Sequence, residues 1–188
     1  MKKFLLPITF TTTLTIAFTT QNVYAGQFVL MPNVGKGSIK LDRRMLASDA
    51  TDTDVSLATL GFVYGYHFDS NIVLAGSSSI SSSGDWLDIT DRYELKERGL
   101  LIGYSFNAGE KMRVVPMLGT TRWRLDTEEG LFISNAGSEG RIQGENTYGK
   151  VNLEWVISSV FQLNLSYQYG SYGFGNVGST RFGFKFEL

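Results

Sequence analysis

The only histidine of the chain lies among residues that could support catalysis. His67 is followed by Asp69 and Ser70 in the stretch YGYHFDSNIVLAG. A histidine base beside a serine nucleophile is the arrangement of many acyl-transfer enzymes. The same letters also fit two strands joined by a tight turn, because Asp and Ser are common turn residues. A general base must lie within hydrogen-bond reach of its partner, so the interpretation depends on the elements that position these residues.

Few residues of the chain suit a metal site. The chain has no cysteine and one histidine, so a site would depend on carboxylates and carbonyls. The stretch with Asp42, Asp49, Asp52 and Asp54 superficially resembles a calcium loop. It lacks the glycine and the terminal glutamate of the EF-hand pattern. We interpret it as a solvated loop, with weak divalent binding as the alternative, and we predict no metal and no cofactor.

Residues 1–25 have the pattern of a secretory signal peptide. Two lysines precede a mostly apolar run from Phe4 to Phe18, and small or aliphatic residues lie at positions 23 and 25. This run is too short and too rich in threonine for a transmembrane anchor. We therefore predict cleavage before Gly26.

The composition of the remaining chain, 26–188, excludes several classes. The 17 Lys and Arg less the two leader lysines leave 15, against 18 Asp and Glu, which gives a net charge of −3. That balance provides no basic field for nucleic acid. No later segment is long and apolar enough for a membrane-spanning helix. With 21 glycines, 3 prolines and 13% aromatic residues, the composition favours β-structure.

Alternation of apolar and polar residues predicts the strands. In FQLNLSYQYG, Phe161 and Tyr169 lie on one face, with glutamine and asparagine on the other. In STRFGFKFEL, Phe182 and Leu188 lie opposite Arg181. Eight strands are predicted, at about 27–41, 55–68, 71–81, 92–106, 111–125, 144–157, 161–170 and 178–188.

The connections between these strands alternate in length. Those near 69–70, 107–110 and 158–160 are tight, whereas the others are longer and polar. This pattern predicts an all-β fold: an eight-stranded antiparallel up-and-down transmembrane β-barrel with short periplasmic turns and long extracellular loops. A soluble barrel or a β-sandwich is the alternative, and it would keep the apolar face inside. Aromatic residues at the strand ends favour the membrane barrel. The predicted long connections are 42–54, 82–91, 126–143 and 171–177.

Three motifs resemble a known family. The pattern Gly-Tyr-x-Phe occurs at 65–68 and at 103–106, a proline lies within the fifth strand in VVPMLGTTRW, and aromatic residues alternate along the last strand. In these features residues 26–188 resemble the small eight-stranded outer-membrane β-barrels, such as the OmpA membrane domain and the OmpX and Ail group. The resemblance implies a porin-like or OmpA-like protein in the outer membrane of a Gram-negative cell. We expect a monomer.

The resemblance also assigns a role to the last strand. In this family that strand is read by the outer-membrane barrel assembly machinery, and members usually end in Phe. The final Leu is therefore expected to lower the efficiency of recognition. Because the chain stops at the barrel, we expect it to lack the periplasmic peptidoglycan-binding domain of full-length OmpA proteins. The implied assembly signal is Phe182, Phe184, Phe186 and Leu188.

Some outer-membrane barrels are lipid A deacylases or palmitoyltransferases, with a histidine and a serine near the outer rim. Here His67 falls near a periplasmic turn, which is the wrong end. The deacylase pattern His-x-Ser-Asn is also one residue shorter than the segment 67–71. We predict no catalytic residue. His67 is expected to point into the barrel, with Tyr64, Tyr66 and Phe68 facing lipid.

Continuing the alternation from a lipid-facing Phe186 places charged residues inside the barrel. The interior of an eight-stranded barrel is only wide enough for side chains, and buried charges are tolerated when they are paired. We predict a lumen filled by two charged layers of mixed sign and no wide pore. The alternative is solvated charges at the mouths. The lower layer is Arg113, Glu154 and Lys185, and the upper layer is Glu97, Lys150 and Arg181.

Apolar residues in the polar loops are candidates for contact with a partner. The alternative is that they pack on the barrel rim. Arg122 and Arg124 are predicted on the lipid face near the outer rim, where they could meet lipopolysaccharide phosphates. The loop candidates are Trp86, Leu87, Leu131, Phe132 and Ile133.

The predicted function is that of a non-enzymatic surface protein. Its loops would act in surface interaction, envelope integrity, or adhesion and colonisation through a host or cell-surface receptor. A narrow channel or a carrier for small solutes or amphiphiles is the alternative. A lipid-modifying enzyme would need a polar constellation at the outer rim, and the sequence places none there.

Overall fold

The computed structural model describes residues 26–42, 54–83, 93–127 and 140–188. Strands that follow one another pair antiparallel, and the first strand also pairs with the last, so the sheet closes on itself. The described strands are β1 (Gly26–Leu41), β2 (Asp54–Phe68), β3 (Ile72–Ser82), β4 (Tyr93–Tyr104), β5 (Phe106–Asn107), β6 (Met112–Thr127), β7 (Arg141–Val156), β8 (Phe161–Tyr172) and β9 (Gly175–Glu187).

Eight strands cross the barrel. The segments β4 and β5 both pair with β6 and are separated only by Ser105. The backbone N–H of Ser105 donates to the carbonyl oxygen of Asn71 at 2.8 Å, so this residue still contacts the neighbouring hairpin. Together β4 and β5 therefore form one interrupted strand, and the predicted eight-stranded antiparallel barrel is confirmed.

Exposed apolar side chains form a belt around the outside. Leu60 is 60% exposed and Leu100 is 70% exposed, whereas the inward Glu97 and Arg181 are each 4% exposed. Apolar side chains outside and charged side chains inside are the arrangement of a transmembrane barrel. The alternative of a soluble barrel with an apolar interior is therefore wrong. No helix in the described part of the chain is long and apolar enough to cross a membrane.

The two ends of the barrel differ. Tight turns at 69–71, 108–111 and 157–160 lie at one end, together with Gly26, which pairs with Phe68. This is the periplasmic end by the rule that short turns lie there. The connections 42–53, 83–92 and 128–140 all leave the other end. Predicted loop residues Trp86, Leu87, Leu131, Phe132 and Ile133, and the predicted signal peptide 1–25, lie outside the described residues.

The strand limits agree with the predicted ones to within three residues. The fourth outer connection differs: a long loop was predicted over 171–177, and that prediction is wrong. The strands β8 and β9 are joined by the two-residue turn Gly173–Phe174. Gly175 has φ of 145°, and a Cβ there would overlap the backbone oxygen of Lys40. A glycine at this position thus permits the strands to extend to the turn.

Candidate functional site

A charged network in the lower, periplasmic half of the lumen surrounds Glu187. Lys185 Nζ donates to Glu154 at 2.6 Å and to Glu187 at 2.9 Å. The guanidinium of Arg113, on the far side of the lumen, donates to Glu187 at 3.2 Å. The structure therefore brings together the three residues predicted for the lower layer: Lys185 links Glu154 to Glu187, and Glu187 also contacts Arg113. Glu187 lies on the same face of β9 as Lys185, so alternation accounts for its inward position but not for its central place in the network.

The carboxylate of Glu187 also contacts His67. The imidazole Nδ1 of His67 lies 2.9 Å from Glu187 Oε1, and the amide of Gln162 donates to the other oxygen at 2.6 Å. His67 points into the barrel, whereas Asp69 and Ser70 form the turn below it. The histidine therefore belongs to the lumen network, and the neighbouring acidic and hydroxyl residues are the turn.

Glu97 is the acceptor at the centre of the upper layer. Arg181 donates to it at 3.4 Å, and the hydroxyl of Ser79 donates at 3.0 Å. The amide of Gln168 donates at 3.2 Å, and the hydroxyl of Tyr172 also contacts this carboxylate. These residues come from four strands, β3, β4, β8 and β9. These donors replace the hydrogen bonds to water that the carboxylate of Glu97 loses when it is buried.

Lys150 lies on β7 in the same inner wall, and it is buried. It forms no ion pair with any residue of the described ranges, in contrast to Arg181 and Lys185. All six residues predicted for the lumen network are therefore inside the barrel, but five of them are in direct ion pairs. Alternation predicts which face a residue occupies, whereas the partner depends on the closed barrel.

An apolar cluster, which we call the outer plug, fills the lumen at the outer end. Its members are at most 6% exposed. The ring of Trp123 meets the edge of Phe174 at 4.8 Å and of Tyr172 at 5.9 Å between ring centres. The sequence reasoning missed this cluster because it placed residues 171–177 in a loop. The outer plug is Ile39, Leu41, Leu57, Tyr93, Leu95, Trp123, Leu125, Tyr172, Phe174 and Val177.

The lumen is thus closed by two kinds of packing. Apolar side chains fill the outer end, and paired charges cross the middle and the lower part. A second apolar cluster, which includes Met31, Val63 and Leu101, draws its residues from β1 to β4, β6 and β7. A barrel of this size has room for side chains or one small ligand, and here side chains occupy that room.

The predicted assembly residues lie on the seam where the barrel closes. Phe182 and Phe184 are exposed on the outside of β9, and the ring of Phe161 lies 5.8 Å from that of Phe184. The backbone N–H of Leu188 donates to the oxygen of Phe28 at 2.8 Å, and the reverse bond is 2.9 Å. The last residue is therefore part of the sheet, with its side chain exposed.

The two arginines predicted to meet lipid are on the outside of β6, and each has a carboxylate partner. Arg122 donates to Glu145 at 2.5 Å, and Arg124 donates to Asp126 at 3.0 Å. Asp126 also accepts a hydrogen bond from Arg141 at 2.6 Å. Burial alone would raise the pKa of Asp126, but the hydrogen bond from Arg141 and the nearby positive charges hold it below its usual value of 3.8.

The acidic stretch considered for calcium is only partly described. Asp42 and Asp54 lie at the two edges of that connection, and Asp49 and Asp52 lie outside the described residues. Within the described ranges, no group of three or more His, Asp or Glu side chains could hold a metal ion. The absence of a metal site in this loop stays a prediction.

Comparison with known proteins finds likeness in fold. No family model and no curated protein matches the sequence. Neisserial surface protein A matches with a TM-score of 0.65 and 12% identity, covering 88% of this chain and 99% of that one. Ail, the attachment invasion locus protein of Yersinia pestis, matches with a TM-score of 0.58 and 15% identity, covering 87% and 99%. The N-terminal β-barrel domain of Pseudomonas aeruginosa OprF matches with a TM-score of 0.54 and 16% identity, covering 87% of this chain and 100% of that one.

The fold of these neighbours agrees with the geometry of this chain. The closed sheet leaves no strand edge unpaired, and the apolar belt with a charged interior suits a bilayer. At 12–16% identity the likeness is one of fold. The protein is an eight-stranded transmembrane β-barrel, with the fold of the small outer-membrane barrels that include NspA, Ail and the OprF barrel domain.

Proposed function

We propose that this barrel is a non-enzymatic surface protein with a filled lumen, whose outer loops make the functional contacts. The observation that carries the proposal is the outer plug above the charged network. Within the described part of the chain it closes the lumen to solutes, so the extracellular connections remain as the functional part. These are 42–53, 83–92 and 128–140.

The charge of these connections favours one class of partner. Together they contain nine acidic and three basic residues, a net charge of −6. They also carry large apolar residues, and such residues in polar loops are typical of contact surfaces. One structure of Ail holds the heparin analogue sucrose octasulfate. The acidic loops of this chain would repel such a polyanion, so a partner with a basic or apolar surface is favoured. The apolar candidates are Trp86, Leu87, Leu131, Phe132 and Ile133.

Surface display tests this function. A non-adherent Gram-negative host that expresses the barrel should adhere to cultured epithelial cells more than the same host with an empty vector. Replacing residues 128–139 by a Gly-Ser linker of equal length should remove most of that gain, because the linker keeps the barrel but deletes the acidic and apolar side chains. Soluble heparin should not compete.

A matched variant separates charge from apolar contact. Exchange of Glu128, Glu129 and Glu139 to glutamine keeps Leu131 and Phe132, so it reports the charge contribution alone. Heat-modifiable migration on a gel shows that each variant is folded. Adherence that survives the linker replacement, or that heparin blocks, would contradict the proposal.

The narrow channel or carrier remains the second candidate, since a lumen with Lys150 and several amides is polar. Planar-bilayer recording with the purified barrel distinguishes the two. We expect no large, stable conductance steps from the wild type, because the outer plug blocks the lumen. Large and reproducible channels would overturn the filled-lumen model and favour the channel.

Five further features are part of the proposal. Residues 1–25 are removed on export, and residues 26–188 form the barrel as a monomer. The assembly machinery reads Phe182, Phe184, Phe186 and Leu188, which the exposed phenylalanines on β9 support. Arg122 and Arg124 lie outside, where they could approach lipopolysaccharide. Envelope integrity is an additional role that a closed barrel with these contacts would serve.

A further inference from the structure

The outer surface of the barrel carries a groove of about 440 Å³ across β1 to β4. One wall is apolar, from Leu60, Phe62 and Ile80, all of them exposed. The other wall is cationic, from Lys96 and Arg98. The groove therefore presents apolar and positively charged surfaces side by side, outside the lumen and away from the loops.

The groove lies at the outer margin of the apolar belt. Arg98 follows Leu100 and Ile102 along the outside of β4, and these two are among the most exposed apolar side chains. Beyond Arg98 the outward positions of this strand are Lys96 and Glu94, both charged. The change from apolar to charged residues marks the level of the lipid headgroups in the outer leaflet.

Arg98 is part of an unusual arrangement of like charges. In the pairing of β4 with β6, Arg98 lies directly opposite Arg122, and Lys96 lies directly opposite Arg124. Like charges in directly opposed positions destabilise a sheet. Four cations in a two-by-two block on adjacent strands thus need counter-charges.

Among the described residues, three of these four cations have a carboxylate partner and one does not. Arg122 pairs with Glu145, Arg124 pairs with Asp126, and Lys96 contacts Glu94. Arg98 is exposed and has no ion pair within the described ranges. Together with Lys96, it lines the groove. The arginine without a partner therefore lies where an anionic group with an apolar tail would complete both walls.

We infer that this groove binds a phosphorylated lipid of the outer leaflet, of the lipid A type. An acyl chain lies along Leu60, Phe62 and Ile80, and the phosphate accepts hydrogen bonds from Arg98. A guanidinium suits a phosphate because it offers a planar pair of donors. Arg122 and Arg124 add to the positive field, but each already pairs with a carboxylate. Arg98 is therefore the centre of the site. The inference rests on the lipopolysaccharide contact proposed for this part of the barrel wall, and it is independent of the proposed loop function.

The experiment uses the full barrel in detergent micelles, titrated with diphosphoryl lipid A and followed by native mass spectrometry. Arg98→Gln should weaken binding by about tenfold or more, since a charged hydrogen bond is lost. Ser78→Phe fills the groove without changing the charge and should weaken binding similarly. Lys40→Gln removes an exposed outer cation from the distal end of β1, which lies away from the groove, and should change affinity by less than about twofold.

Two further probes identify the source of the phosphate. Dephosphorylated lipid A should bind poorly, and inorganic phosphate alone should give no binding that depends on Arg98. An affinity unchanged by Arg98→Gln, or equal affinities for phosphorylated and dephosphorylated lipid, would overturn the inference. So would Arg98-dependent binding of inorganic phosphate as tight as that of the lipid. Adherence in the display assay should be unaffected by Arg98→Gln, which separates this site from the loops.

Discussion

Replacing Glu97 by alanine is expected to lower the free energy of unfolding of the barrel by about 3–5 kcal/mol. The carboxylate accepts from Arg181, Ser79, Gln168 and Tyr172, and the variant leaves all these donors without their acceptor. The largest part of the cost is the uncompensated charge of Arg181, which is 4% exposed. Urea unfolding of the detergent-solubilised barrel, followed by tryptophan fluorescence, measures the change.

A surface carboxylate provides the control. Glu145 pairs with Arg122 on the outside, where both side chains are more than half exposed, so Glu145→Ala should cost less than about 1 kcal/mol. The double variant in which Glu97 and Arg181 both become leucine should recover much of the loss, because a buried ion pair is often replaceable by apolar residues. Equal costs for the Glu97 and Glu145 variants would show that the lumen pair does not contribute to stability.

Trp123→Ala is expected to lower the free energy of unfolding by about 3–5 kcal/mol. Trp123 is central to the outer plug, where its ring meets Phe174 and Tyr172 edge-on. Removal of the indole leaves a cavity among rigid strands that cannot move to fill it. The measurement is again urea unfolding, here followed by circular dichroism, since the variant loses a fluorophore.

A conservative variant separates packing from hydrogen bonding. The indole Nε1 of Trp123 is buried, and no described residue accepts a hydrogen bond from it. Trp123→Phe removes this unsatisfied donor and keeps most of the aromatic contact, so its cost should be about 1 kcal/mol or less. If the phenylalanine variant were as unstable as the alanine variant, cavity formation would not explain the effect.

Alternation along the sequence predicted the face of each strand, because every second side chain of a β-strand points the same way. It therefore placed Glu97, Lys185 and His67 inside. It did not predict that His67 and Glu187 are partners, since they are 120 residues apart in the chain and meet only across the closed barrel. Alternation also does not report how far the strands extend, so Tyr172 and Phe174 were assigned to a loop although they are buried.

The sequence also did not predict the groove on the outside of β1 to β4. Alternation predicts that Arg98 points outward, but its position opposite Arg122 depends on the register of the hairpin that β4, β5 and β6 form. Arg122 and Arg124 were predicted as lipopolysaccharide contacts because alternation places them on the lipid face near the outer rim. Glu145, the partner of Arg122, becomes evident only once the register of β6 and β7 is known, whereas Asp126 is the next outward residue after Arg124 on the same strand.

The pairing of Phe28 with Leu188 has a consequence for the rate at which the chain folds. Hydrogen bonds between the first and last strands join the two ends of the barrel sequence. Closure of the barrel therefore closes the longest loop and has the largest entropic cost of any pairing step. Until it occurs, β1 and β9 are both open edges that could pair with another chain. After it, opening the seam would expose two edges at once. Closure is therefore expected to be slow and opening rarer still, so that the barrel persists by kinetic stability as much as by its equilibrium free energy.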